Sequence, residues 1–246
     1  MKISIITATW NCLSTLGHCL DSVSGQTYAE VEHIVIDGYS TDGTRELLLS
    51  RQSQLARFIS EPDDGIYDAL NKGLAQATGE VVGFLHADDF YPSSTVLAEV
   101  AKIFEDPAVD AVYGDLDYVQ KNDTVRIVRR WKSSAYDARK LRRGWMPPHP
   151  TLIVRRKWYT RIGGFDTTFR ISADYLSILQ LFSAPSFRAV YLPQVLVKMR
   201  VGGVSNRSLA NMMRKSREDM AALRSTGVGG LRTLLLKNVS KIGQFL

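Results

Sequence analysis

A chain of 246 residues, 45% hydrophobic and 23% charged, has the composition of a globular protein and the length for one large domain or two small ones. No apolar run approaches the roughly 18–20 residues of a membrane-spanning helix, and "MKISIITATW" opens as a strand rather than a secretory signal, so a cytoplasmic protein is expected. The net charge of +6 hides an asymmetry: residues 1–125 carry 7 Lys and Arg against 20 Asp and Glu, whereas residues 126–246 carry 24 against 5. One half is built around a cation and the other around anions, and no zinc-finger spacing or RNA-binding aromatic motif makes nucleic acid the anion expected.

Residues 3–8 are apolar and β-branched, a first strand. Leu16, Leu20 and Val23 then recur at i, i+4 and i+7, a helix continuing to about residue 26. Cys12 and Cys19 are about 10 Å apart along that helix at 1.5 Å per residue, too far for a disulfide, so free thiols are expected. Residues 31–37 form a second strand, and "STDGTRELLLSRQ" (40–52) a second helix opened by capping-type Ser and Thr. A short strand (56–60), a helix (66–77) ended by Gly79, a strand (81–85), a helix (93–104) and a strand (111–118) complete the alternation. Strands separated by such helices imply right-handed crossovers and a largely parallel sheet. In sheets of this kind ligands bind beyond the carboxyl ends of the strands.

After residue 125 the rhythm loosens. Residues 124–131 suit a hairpin strand, 135–143 a short basic helix, "GWMPPHP" (144–150) a rigid loop, 151–155 a strand and 172–182 a helix. "YLPQVLVKMRVGGVS" (191–205) is extended and then loop, 206–225 a strongly basic helix, and an amphipathic segment begins at Gly230. On a helix, Leu231, Leu234, Leu235, Val239, Ile242 and Leu246 gather toward one face, with Arg232, Lys237 and Lys241 as its charge. Such a segment reads as a membrane-surface element, or as a helix docked on the domain or on a second subunit.

Three polar strand ends, at 7–10, 37–40 and 86–89, fall on one edge of the expected sheet. In "GEVVGFLHADDFYP" (79–92) an apolar run without alternation, the pattern of a strand buried on both faces, leads straight into Asp88 and Asp89. Adjacent carboxylates beside a low-dielectric core repel each other and cost free energy unless paired, so a cation belongs there. The turn "TATWNCLS" lacks the glycine fingerprint of dinucleotide binding, and no Walker-type lysine loop occurs. Phosphate charge then falls to a divalent metal on Asp88, Mn²⁺ or Mg²⁺. The alternative is a pair that only caps the next helix.

"SIITATWN", "VIDGYSTDGT", "SEPDDGIYDALNKG", "GFLHADD", "GGFD" and "SADY" occur in the order, and at roughly the intervals, seen in family 2 glycosyltransferases. The chain resembles most the small bacterial members that build surface polysaccharide, over roughly residues 3–205. The resemblance implies an α/β GT-A nucleotide-diphosphosugar transferase fold, with a mostly parallel central sheet flanked by helices. It also implies a divalent metal, a nucleotide-diphosphosugar donor, expected to be a UDP-sugar, and inversion at the anomeric carbon. On this reading residues 1–205 are the catalytic domain, with 1–118 the nucleotide and metal half and 119–205 the acceptor half, and 206–246 a basic amphipathic tail.

Carried over by residue, Thr7, Ala8 and Trp10 lie on the donor, Ala8 and Trp10 at the nucleobase, with a packed aromatic the alternative for Trp10. Asp37 corresponds to an acid that contacts base or ribose, although Asp37-Gly38-Tyr39 departs from the commoner double-Asp form. Asp68, Asn71 and Lys72 share one helix face on the nucleotide side, or a solvated face. Asp88 is the main metal ligand and Asp89 a secondary or supporting carboxylate. His86 stands where relatives carry an acid, as a ligand or only a hydrogen-bonding group. Asp174 resembles the catalytic base, with a helix cap as the alternative, and His149 a histidine facing acceptor or diphosphate, with a structural histidine as the alternative.

The Gln-x-x-Arg-Trp signature and membrane spans of polymerising relatives are absent from the sequence, which implies addition of a single sugar. A lipid-diphosphate-linked glycan acceptor, peripheral attachment to the inner face of the cell membrane and a homo-oligomer are the partner expectations, with Arg and Lys residues of 198–217 assisting once "VGGVSN" closes. A nucleotidyltransferase would need a Gly-rich basic loop after the first strand. A non-catalytic nucleotide-sugar-binding paralogue in a synthase complex is the remaining alternative.

Overall fold

A computed structural model describes residues 1–202 and 209–240. The seven residues of β1 (Ile3–Thr9) are all buried. It pairs in parallel with β2 (Val31–Asp37) on one side and β4 (Val81–Phe84) on the other, and β3 (Arg57–Ser60) extends the sheet beyond β2. Strands covered on both faces are apolar at most successive positions, as in β4, and Ser4, Thr7, His33 and Asp37, polar residues that β1 and β2 bury, are hydrogen-bonded.

The connections are α1 (Leu13–Ser24), α2 (Thr44–Ser50), α3 (Ile66–Gln76) and α4 (Val96–Ile103). Helix α1 buries Leu16, Cys19, Leu20 and Val23 in one core with Ile3, Ile5 and Val35. Helix α3 buries Tyr67, Ala69 and Leu70 in a second core with Ile6 and Ile36, so the two helices cover opposite faces. Gly73 lets α3 approach closely, because a Cβ there would stand 2.4 Å from Ile6 Cγ2. Cys12 and Cys19 are free thiols, as expected. One detail differs. Helix α2 is not opened by Ser40 or Thr41: Asp42 accepts the Thr44 N–H at 3.0 Å, while Ser40 is turned back onto Asp37.

In the second half, β5 (Ala111–Val119) and β6 (Ile127–Trp131) form the expected hairpin. The short strand β7 (Ile153–Arg155) enters antiparallel between β4 and β5. Strand β8 (Ala189–Arg200) runs parallel along the other edge of β5. The helices are α5 (Ala138–Arg142), α6 (Arg156–Ile162), α7 (Ala173–Ser183), α8 (Leu209–Ser225) and α9 (Leu231–Ser240). Helix α6 was not expected. It is one short stretch anchored by Trp158 and Tyr159, too brief to show a period.

Helices α8 and α9 pack into the main core: Ala222, Leu223, Val228 and Leu234 join the cluster that holds Ile178 and Tyr113. The expected amphipathic face of the last segment divides as a result. Leu234 turns inward, whereas Leu231, Leu235 and Val239 face solvent. Lys237, expected among the surface charges, is buried instead. Its Nζ donates to Asp219 at 2.8 Å and lies 3.2 Å from the centre of the Tyr175 ring. Burial pulls the Lys237 ammonium below its ordinary pKa, and the Asp219 charge opposes that pull. Lys241, Ile242 and Leu246 lie outside the described residues, as does most of "VGGVSN".

Candidate active site

Because β2, β1 and β4 are parallel neighbours, the segments after Thr9, Asp37 and Phe84 leave the sheet at one edge. The first two are latched together. Gly38 N–H donates to the Thr9 carbonyl at 2.9 Å, Asn11 N–H to Ser40 Oγ at 2.8 Å, and Thr41 N–H to Asn11 Oδ1 at 2.9 Å. Asn11 (φ 50°) and Tyr39 (φ 63°) take left-handed backbone conformations in these turns. Asp37 lies beneath the latch, fully buried, and accepts from Ser40 N–H, the Ser40 hydroxyl and the Ser60 hydroxyl. Its carboxylate therefore shapes the floor of the site. The Gly38 departure has a reason in packing: a Cβ at that position would stand 2.5 Å from Asp63 Oδ2.

Above that floor opens a cleft of about 500 Å³ lined by Trp10, Gly38, Pro62, Asp63, Asp64, Gly65 and Arg170. Trp10 is 67% exposed, whereas a packing tryptophan would be covered. An open indole face beside a cleft suits a planar base. Thr7 and Ala8 are buried behind it, the Thr7 hydroxyl 2.9 Å from His33 Nε2. Lys72 and Asp68 brace the cleft wall: Lys72 donates to the Pro62 carbonyl at 2.9 Å and pairs with Glu61 and Asp68, and Asp68 accepts the Asp64 N–H. Asn71 is turned away, its amide bonded in both directions to the backbone of Phe165 at 2.8 Å. Arg170, which pattern reading did not single out, reaches the cleft from a distant turn by donating to the Asp64 carbonyl. Trp10→Ala is expected to weaken binding of a planar base in this cleft by about 1–3 kcal/mol, the usual worth of a base stacked on an aromatic. Calorimetric titration with one nucleotide carrying different sugars should show the same loss for each.

The second wall starts where β4 ends. Asp89 is fully buried, and neither carboxylate oxygen has a hydrogen-bond partner. Burial, with the Asp88 charge beside it, holds the Asp89 carboxyl well above the usual range. Asp88 is half-buried, and its carbonyl accepts from Arg200 Nη1 at 2.6 Å. Arg200 is itself buried, stacked on Phe90 and 2.7 Å from His18 Nδ1. This arginine holds the Asp-Asp turn from β8. The Arg200 guanidinium already acts on both carboxylates, and a divalent cation fits the pair as a second positive charge, since the buried Asp89 oxygens accept no side-chain hydrogen bond. Among the described residues no three His, Cys, Asp or Glu side chains form a ready cluster, so such a cation would take its other ligands from outside the side chains.

Asp174 lies in the first turn of α7. Its Oδ1 accepts the Tyr175 N–H at 2.8 Å and lies 3.1 Å from the Tyr67 hydroxyl. His149 lies beside the end of β4. Its ring stacks on Phe84 and lies 6.4 Å from the His86 ring, and its Nε2 is buried without a partner, as is His86 Nδ1. Burial lowers the His149 pKa to about 4, with Asp174 pulling the other way, so the imidazole is neutral at ordinary pH. At this edge of the sheet the His86 and His149 rings lie 6.4 Å apart with Asp174 near His149, Asp88 and Asp89 follow His86, and Trp10 follows β1. Thr7, Ala8, Asp37 and Asn71 lie behind that edge.

A family model described as glycosyl transferase family 2 matches residues 4–172. The chain belongs to this family. It is 33% identical over 208 residues to a PGL/p-HBAD biosynthesis glycosyltransferase of Mycobacterium bovis BCG, covering 82% of this chain and 78% of the relative. Among solved structures it is similar to residues 1–349 of Staphylococcus aureus TarS in complex with UDP-GlcNAc (TM-score 0.68, 18% identity, 93% of this chain and 66% of that one). It is also similar to the mannosyltransferase PcManGT of Pyrobaculum calidifontis in complex with GDP-Man and Mn²⁺ (TM-score 0.67, 23% identity, 96% and 68%). Against a longer TarS chain the match spans 40% of its length. The observed sheet and its flanking helices are the GT-A fold that the motifs implied. As a member of family 2 the protein is a glycosyltransferase.

Proposed function

We propose that the protein is an inverting, metal-dependent glycosyltransferase that adds one sugar from a nucleotide-diphosphosugar, a UDP-sugar in the first instance, to a hydroxyl of a growing glycan on a lipid diphosphate. The observation that carries this reading is the Asp88–Asp89 pair following β4, at the same edge of the sheet as the open cleft walled by Trp10 after β1. Trp10 stacks on the base, and Asp37, Asp68 and Lys72 keep the cleft in shape. Asp88 would hold Mn²⁺ or Mg²⁺, with Asp89 in support; when bound, the cation offsets charge on the departing diphosphate. Asp174 removes the proton from the acceptor hydroxyl as its oxygen attacks the anomeric carbon on the face opposite the diphosphate. His149, neutral and unpartnered, offers a ring nitrogen on the acceptor side of that bond.

The test is a thermal-shift screen of UDP-, GDP- and dTDP-sugars with Mn²⁺. The matching donor at about 100 times its dissociation constant should stabilise by roughly 2.7 kcal/mol. A uniform absence of shift would remove the donor assignment.

The acceptor's lipid would bring the enzyme to the inner membrane face. No described helix is long and apolar enough to cross a membrane. On α9, however, Leu231, Leu235 and Val239 are 65%, 56% and 60% exposed at i, i+4 and i+8. Beside them stand the exposed Arg232 and, through the Thr233 hydroxyl bonded to the Arg142 carbonyl, the basic end of α5. Apolar residues flanked by cations suit an anionic leaflet, with each Lys or Arg near it worth about 1 kcal/mol. Deleting the segment is a poor test, because it would strand the buried Asp219 charge. The triple change Leu231→Ser, Leu235→Ser, Val239→Ser is expected to keep nucleotide-sugar binding and lose flotation with phosphatidylglycerol vesicles. Unchanged flotation would refute the membrane contact, and a dimer-to-monomer change would assign the stripe to a second copy.

A further inference from the structure

The turn that delivers Asp174 is held by a residue far away in sequence. Glu218 of α8 accepts the Arg170 N–H on Oε1 at 3.1 Å, and the Ile171 and Ser172 N–H groups on Oε2 at 2.8 and 2.9 Å. These successive donors lead into α7, which has no side-chain cap from its own Ser172. The capping function has passed to an acid 46 residues downstream. Further contacts fix the same turn. The Tyr67 hydroxyl lies 2.7 Å from the Ile171 carbonyl and 3.1 Å from Asp174 Oδ1. Asp219, next to Glu218, pairs with Lys237, whose ammonium covers the ring of Tyr175.

We infer that Glu218 is a positioning residue for transfer: by gathering the 170–172 amides it sets where the Asp174 carboxylate stands, and α8 is therefore part of the machinery. The inference rests on Asp174 being the base. A carboxylate is required at 218, and not merely an acceptor. Two oxygens there serve three N–H donors, whereas a glutamine would offer one oxygen and turn an NH₂ group toward the remaining amides. Misplacing a reacting group by about 1 Å can cost on the order of 100-fold, so a loosened turn is felt in turnover. Donor binding is less exposed to the change: of the residues lining the Trp10 cleft only Arg170 belongs to this turn, and its side chain keeps its own bond to Asp64.

The experiment uses the full chain carrying Glu218→Gln, alone and on an Asp174→Asn background. One arm is amide hydrogen exchange across 170–176. The other is release of nucleoside diphosphate from the nucleotide sugar that gives the largest thermal shift. Exchange at 170–172 is expected to rise at least about ten-fold, and turnover to fall roughly 10- to 100-fold, with donor KM within about three-fold. On the Asp174→Asn background the further loss should shrink to less than about two-fold, since the effect runs through Asp174. Near-normal turnover, the same fold-loss on both backgrounds, or unchanged exchange at 170–172 would overturn the inference. If the wild-type chain processes no nucleotide sugar, the proposed activity fails, while the exchange arm still decides whether Glu218 holds the turn. Should Glu218→Gln not fold, Glu218→Asp, which retracts the carboxylate by one methylene, is read the same way.

Discussion

Asp174→Asn is expected to lower turnover by about 10²- to 10⁴-fold, the ordinary worth of a positioned general base. The substitution isolates chemistry from structure. Asn retains an oxygen to accept the Tyr175 N–H and to face the Tyr67 hydroxyl, so the start of α7 should survive. What disappears is the capacity to take a proton. Donor affinity should barely move, because Trp10 and Asp88 belong to the ends of other strands. Steady-state kinetics with a parallel donor titration checks both halves. A mutant with near-normal turnover would move the base elsewhere, and the buried, neutral His149 would be the first place to look.

Asp88→Asn should abolish the metal dependence of donor binding without unfolding the protein. Arg200 holds this turn through the Asp88 carbonyl, which Asn keeps. The charged oxygen that would face the cation is lost. Even a residue supporting a metal ligand is worth about 10- to 100-fold in affinity, and a ligand should be worth at least that. In the wild type, donor affinity with Mn²⁺ should exceed that with a chelator by such a factor; in the variant the two should converge. Equal affinities in the wild type would refute the metal role.

The sequence disclosed the half of the molecule in which local pattern and burial coincide. Strands β1, β2 and β4 are enclosed on both faces, so their apolar runs and polar ends were legible, and with them the position of Trp10 and Asp88 at the site edge. The insertion of β7 between β4 and β5 was not, because three paired residues carry no signal of direction or neighbour. Roles decided by distant partners were also hidden. Asn71 faces Phe165, Asp37 is taken up by Ser40 and Ser60, and Lys237 finds Asp219 inside the core, although each reads locally as a surface or site polar group. Glu218 gave one faint signal, as one of few acids in a strongly basic half. Arg200 reads in the sequence only as one of the basic residues of 198–217 expected to assist, and its hold on the Asp-Asp turn depends on β8 lying beside β5.

The most direct measurement is the anomeric configuration of the first product. With the nucleotide sugar selected by thermal shift, Mn²⁺, and water as acceptor, proton NMR can follow the released sugar before it mutarotates. An α-linked donor should yield the β-anomer first, and release should stop with a chelator and fall sharply in Asp174→Asn. Appearance of the α-anomer first, or release indifferent to both metal and Asp174, would contradict an inverting transfer built on Asp88 and Asp174.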